Sequence, residues 1–339
     1  MDVDTKRYKL LSLSRKSGIQ HWSYFCVVTL FLIIFGCGVY TRVHGEYYLS
    51  QEKYIEGAQV FSEKLQQNPF DAEANYYLGR YLLALNQPKN AYPYLKEAVL
   101  LSYGSADYHF WLGVCYNGLK QPKMERAGYL KAIELNKHHI ESHLYLGHSY
   151  LEHDHWKKAL DAYEQVLELQ HNHAQALYNR GLALNKLRRY SAEIDAWKAY
   201  LNYYPEGQWA ILAVDHLNSR GDFQYRNYSI GYRRVPLEQV RFEGLTDSLT
   251  KSTMPSLDVI GSILSINKKI HLEIIAYCKG NKTLAKRRAK RIQDFLITNY
   301  PKIDPRRLIV RGFGKPEKII LGSKVYTLKS SINFTTRKM

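Results

Sequence analysis

Gly45, Gly79, Gly113, Gly147 and Gly181 stand 34 residues apart, four intervals without a slip. A fixed period of that length means one supersecondary unit repeated along the chain. The surroundings of the glycines repeat as well. Leu78-Gly79 is followed by Leu82, Ala91, Leu95 and Ala98, and Leu112-Gly113 by Tyr116, Tyr129 and Ala132. Leu146-Gly147 leads to Tyr150, Ala159, Tyr163 and Val166, and Gly181 to Leu184, Trp197 and Pro205. The weakest copy has Gly45, Tyr48, Phe61 and Pro69. A small residue at a fixed place lets one helix approach its neighbour, and the large apolar residues fill the space between them. One such unit cannot bury its apolar face alone, so the units must stack.

The frame resembles the tetratricopeptide repeat, a pair of antiparallel helices. The resemblance implies a recognition scaffold rather than an enzyme. Extending the register gives copies at 38–71, 72–105, 106–139, 140–173 and 174–207. The last copy needs a cap, and Trp209, Ala210, Leu212, Ala213 and Leu217 form a helical stripe that supplies one. In such repeats the first helix lines the concave side. The fifth position of successive copies is Tyr76, Phe110, Leu144 and Tyr178, expected as an apolar ladder, with Arg80, Asn117, His148 and Asn185 beside it. Aromatic anchors with a few polar groups suit a protein or peptide ligand. Eight of the thirteen histidines lie between 138 and 173. They do not supply three or four convergent ligands at a metal-site spacing, so no metal is expected.

Trp22 to Tyr40 is an uncharged run of 19 residues, long enough to span a bilayer as a helix. Lys6, Arg7, Lys9, Arg15 and Lys16 precede it, which places the N-terminus in the cytoplasm and the bulk outside it. The rival reading is a lipoprotein signal with its acyl anchor at Cys37. Cys26, Cys37, Cys115 and Cys278 show no spacing that suggests a disulfide framework.

Charge is concentrated at the other end. Residues 221–339 hold 24 Lys and Arg against 9 Asp and Glu, within a chain of net charge +17. Such a block attracts polyanions. The expected topology puts it outside the cytoplasm, so nucleic acid is set aside. The segment reads as α+β. A helix is expected near Leu257–Leu264, a strand over Ile270–Ala276, an amphipathic helix over Leu284–Tyr300, and short strands at Leu308–Val310 and Ile332–Thr335. On the long helix, Ala285, Ala289, Ile292, Phe295 and Leu296 share a stripe while Lys286, Arg287, Lys290 and Arg291 face away.

Leu284-Ala285-Lys286-Arg287-Arg288-Ala289 and Arg307-Leu308 followed by Arg311-Gly312-Phe313-Gly314 resemble motifs of the OmpA-like domain, a peptidoglycan-associating module. In that family an Asp and an Arg hold a diaminopimelate side chain. The resemblance carries the Arg to Arg288 and makes Tyr277, Lys279 and Leu284 its companions at the site. The Asp position is occupied by Lys279, which reverses half of the clamp. The family's N-R-R-[VI]-E becomes Lys329-Ser330-Ser331-Ile332-Asn333. No phosphate loop, nucleophile elbow or zinc-protease motif is present.

The expected organisation is therefore a basic tail (1–21), a transmembrane helix (22–40), a repeat region (41–207), a capping helix and linker (208–222) and an α+β OmpA-like domain (223–339). The expected role is a membrane-anchored, periplasmic scaffold without cofactor. Its repeats would bind protein and its last domain peptidoglycan or another anionic envelope polymer. The alternative is a structural subunit of an envelope-spanning machine whose last domain docks on protein.

Overall fold

The computed structural model describes residues 40–338. The tail, Cys26, Cys37 and all but the last residue of the Trp22–Tyr40 run lie outside them. Among the described residues no helix is long and apolar enough to cross a membrane. Two compact units divide the chain between Ser149 and Tyr150.

The first unit is all helical: α1 (residues 40–50), α2 (Tyr54–Gln67), α3 (Ala72–Ala84), α4 (Pro88–Leu101), α5 (Ala106–Gly118), α6 (Pro122–Leu135) and the start of α7 (Ile140–Glu152). Local chemistry punctuates these helices with the same period as the glycines. At the N-termini, Asp71 accepts a hydrogen bond from the Ala74 amide and Ser105 from the Tyr108 amide. Both satisfy a backbone donor that the first helical turn leaves free. Pro88 and Pro122 open α4 and α6, where a missing N–H costs nothing. At the C-termini, Glu52, Asn86 and Lys120 take left-handed backbone angles, φ 55°, 57° and 59°. Each closes a Schellman turn; the amides of Asn86 and Gln87 donate to the Leu83 and Leu82 carbonyls. A β-carbon at Gly113 would lie 2.7 Å from the Tyr129 ring, and one at Gly79 2.5 Å from Leu95. The periodic glycine is thus a contact point between paired helices. Phe61, Tyr77, Tyr81 and Leu95 form the centre of this core.

Lysine is a poor occupant of a left-handed site, because its Cβ crowds the following carbonyl. Lys120→Gly is expected to raise stability by about 1 kcal/mol, read as an increased thermal midpoint. No increase would mean that the turn is not strained.

The second unit continues with α8 (Trp156–Leu169), α9 (Ala174–Lys186), α10 (Tyr190–Tyr203) and α11 (Gln208–Ser219). Asp154 and Arg188 continue the left-handed series. α11 buries Ala210, Ala213, Val214 and Leu217 in one cluster with Trp197, Tyr200 and Leu201. It also meets the next domain, since the Asn227 amide donates to the Ile211 carbonyl and the Asp215 carboxylate, both at 2.9 Å.

That domain runs β1 (Tyr225–Ile230), β2 (Arg233–Glu238), α12 (Met254–Ile266), β3 (Ile270–Cys278), α13 (Lys282–Asn299), β4 (Leu308–Phe313), β5 (Glu317–Leu321), β6 (Lys324–Leu328) and β7 (Ser330–Lys338). Its central sheet has the order β4-β3-β7. β3 and β4 are parallel, with Leu272 opposite Leu308; β3 and β7 are antiparallel, with Ile274 opposite Phe334. Leu257, Ile260 and Leu264 of α12 join Ala285, Ala289, Ile292 and Leu296 of α13 in the core with Leu272, Ile274 and Ala276. β1–β2 and β5–β6 are hairpins. A β-carbon at Gly312 would fall on the Lys286 backbone, so β4 approaches α13 closer than any side chain permits. Gly312→Ala is expected to destabilise by about 2 kcal/mol, because backbone cannot yield as a rotamer can. A urea midpoint equal to the parent's would show that β4 and α13 can part to admit a methyl group.

Candidate functional site

The fifth-position residues expected in the groove are mostly core. Tyr76, Phe110 and Leu144 are buried. Tyr76 packs on Tyr108 with ring centroids 4.7 Å apart, and burial pushes its hydroxyl up to about 12. Phe110 meets Tyr129 at 5.7 Å and Tyr145 at 5.2 Å. The reason is geometric: this position points between helices, not out of them.

Arg80 is half-buried and already engaged. Its guanidinium lies 4.4 Å from the centroid of the Trp111 ring, and Nη1 donates to the Glu46 carboxylate and the Tyr76 hydroxyl, both at 3.1 Å. Asn117 and His148 are half-buried, and His148 stands 5.7 Å from the Tyr145 ring. Tyr145 is exposed and Trp111 half-buried, and neither was expected at the surface of interest. Both occupy the sixth position of their copies, but the same position one copy earlier holds Tyr77, which is core, so the spacing alone does not mark the surface.

In the second unit Tyr178 is half-buried and stacks on the exposed Trp209 at 5.1 Å. Asn185 corrects its expected groove role: its amide donates at 2.7 Å to Glu193, a fully buried carboxylate that also accepts from Arg220 Nε at 2.9 Å. A charge removed from water needs such donors.

The histidines have local work. His139 caps α7 through Nδ1, which accepts from the Ser142 amide, and His173 does the same for Ala176. His109 and His143 donate from Nε2 to the Tyr103 and Lys137 carbonyls, as Asn75 does to Pro69. Ser142, His139 and Asp107 form a hydrogen-bonded series at 2.8 and 3.0 Å. It is a helix cap rather than a nucleophile relay, because Ser142 is completely buried and Nδ1 is held by its amide. The bond from His139 keeps the Asp107 carboxyl below its usual range. Among the described residues no group of three metal-ligating side chains converges.

The OmpA-like site differs most from expectation. Arg288 is 5% exposed. Its Nε donates to the Thr246 carbonyl at 2.7 Å, Nη2 to the Gly244 carbonyl at 2.7 Å and Nη1 to Ser330 Oγ at 2.9 Å. The Phe242 ring centroid lies 4.6 Å from the guanidinium carbon. Burial lowers the Arg288 pKa from its ordinary value. The residue expected to hold a ligand carboxylate is instead spent on the 243–247 turn, since peptide carbonyls are the nearest acceptors. Leu284 is core at 1% exposure. Tyr277 is half-buried and stacked on Phe313 at 5.4 Å, and Lys279 is exposed at the end of β3.

What remains open is the outward face of α13. Lys286, Arg287, Lys290 and Arg291 line a shallow depression of about 340 Å³ with Asp247 and Asp294. Lys290 pairs with Asp294 at 2.7 Å, which leaves Lys286, Arg287 and Arg291 against the single carboxylate of Asp247.

Comparison with known proteins follows the same division. The tetratricopeptide repeat family model matches residues 42–99, 78–136 and 144–207, and the OmpA family model matches 241–324. A search of the curated proteins finds no match. Among solved structures, MamA protein is 18% identical over 57% of this chain and 98% of its own, with a TM-score of 0.43. YrrB, described as a TPR protein with an unusual peptide-binding site, is 20% identical over 50% of this chain and 88% of its own, at 0.44. Pseudomonas aeruginosa PilF is 18% identical over 55% of this chain and 84% of its own, at 0.49. The helical repeats over residues 42–207 and the α+β domain that follows make this chain a tetratricopeptide-repeat protein with a C-terminal domain of the OmpA family.

Proposed function

We propose that the chain is a non-enzymatic scaffold of a cell envelope, anchored by Trp22–Tyr40 with its bulk in the periplasm. In this reading the repeats bind a protein segment on the surfaces that present Tyr145, Trp111 and, in the second unit, Trp209. The C-terminal domain meets an anionic wall polymer through the outward face of α13. The observation that carries this is the contrast between Arg288, closed on its own chain, and Lys286, Arg287 and Arg291, which stand open. Contact through a charged face is sensitive to salt, whereas a desolvated clamp is much less so.

Co-sedimentation of the full-length chain with purified sacculi tests it. Arg287→Glu with Arg291→Glu should abolish pelleting, and moderate salt should do the same to the parent. Pelleting that resists both would refute contact through this face. A chain that stays in the supernatant at every salt concentration would instead support a machine subunit docked only on protein. A phosphatase fused after Gly221 should be active if the bulk is periplasmic; an inactive fusion would reverse the topology.

A further inference from the structure

The β5–β6 hairpin is a two-stranded ribbon with one face turned inward. On that face Tyr326 packs against Phe223 with centroids 5.1 Å apart and covers Gly221, while Glu317 is buried. The other face carries Lys318 and Ile320 on β5 and Val325 and Thr327 on β6, because side chains alternate along a strand. Ile320 and Val325 are directly opposed across the ribbon. They are 70% and 60% exposed, while Leu321 belongs to the inward face with Tyr326. Two opposed aliphatic side chains near the tip of the hairpin are thus left in water without a covering element.

The exposed charge along the hairpin has one sign. Lys318 and Lys324 stand exposed near the tip, and Lys315 and Lys329 flank the base. The sole acid between Gly314 and Lys329 is Glu317, which is buried and paired with Arg226. An aliphatic pair flanked by Lys318 and Lys324 is complementary to an anionic lipid interface. The tip can enter the acyl boundary while the lysine stems reach back to the headgroups. A protein acceptor fits less well, since protein contacts draw their energy from Trp, Tyr and Arg anchors, and the outer face of this ribbon carries none.

We propose that the β5–β6 hairpin docks on an anionic lipid bilayer by inserting Ile320 and Val325 at the interface. The proposal is independent of the wall-contact reading, which uses α13. Full-length chain assembled with nanodiscs of phosphatidylcholine, with or without phosphatidylglycerol, provides the test. Hydrogen exchange of residues 320–325 should slow only when the anionic lipid is present. Lys318→Gln and Lys324→Gln should each reduce the protection about fivefold, the effect of one juxtamembrane charge. Ile320→Asp with Val325→Asp should remove it, while exchange in β3 stays at the parent's value and reports an intact domain. Arg287→Glu with Arg291→Glu should leave it in place. Equal exchange in both lipid compositions, or equal loss from the α13 variant, would overturn the proposal.

Discussion

Arg226→Met is expected to destabilise the C-terminal domain by about 4 kcal/mol. Glu317 is 5% exposed, and its carboxylate accepts from Arg226 Nη1 and Nη2 at 2.9 and 3.0 Å. Ser331 Oγ donates to it at 2.7 Å and the Asn333 amide at 3.1 Å. The carboxylate therefore joins β1, β5 and β7. Removing the guanidinium leaves a buried charge with two neutral donors, and that desolvation cost outweighs the lost attraction. The double change Arg226→Met with Glu317→Met should recover most of the stability, because an apolar pair of similar volume fills the site without a charge. Urea denaturation of the two variants decides it. A single variant within about 1 kcal/mol of the parent would mean that water reaches Glu317.

Arg288→Ala is expected to cost about 3 kcal/mol, since it deletes three hydrogen bonds from a charged donor at a buried site. Arg287→Ala, one residue away and exposed, should change stability by no more than about 0.5 kcal/mol. The two should differ in the opposite sense in sacculus binding per folded molecule: Arg287→Ala weakens it and Arg288→Ala does not. An Arg288→Ala protein that is as stable as the parent but no longer pellets would restore the ligand clamp and sink the closed-site description.

The repeats were legible because each copy solves one local problem with nearby residues. Gly113 and Tyr129 sit 16 positions apart, caps act over three, and the pattern recurs. The amphipathic stripe of α13 was legible for the same reason. The two hairpins were not anticipated, although each turn is a glycine-first pair, Gly231-Tyr232 and Gly322-Ser323, with the glycine at φ 65° and 58°. Their strands are short and take their burial from distant partners; Arg226 and Glu317 are 91 residues apart. At the candidate site, the motif located Arg288 but not its acceptors: two carbonyls 42 and 44 residues upstream in a turn without periodicity, and Ser330, 42 residues downstream. The fifth position of the repeat was correctly identified as apolar and wrongly assigned to the surface. Apolar character alone does not distinguish a groove wall from the wedge between helices.

The position of α11 has a mechanical consequence. Arg220 at its end is held by Glu193 of α10, and Asn218 donates to the Tyr225 carbonyl at 2.7 Å as β1 begins. The same helix that closes the last repeat is thus clasped by the first strand of the next domain. There is no slack segment between them to take up a pull. A load applied to the C-terminal domain passes directly into the final repeat, and a partner gripping that repeat would register tension at the other end of the clasp.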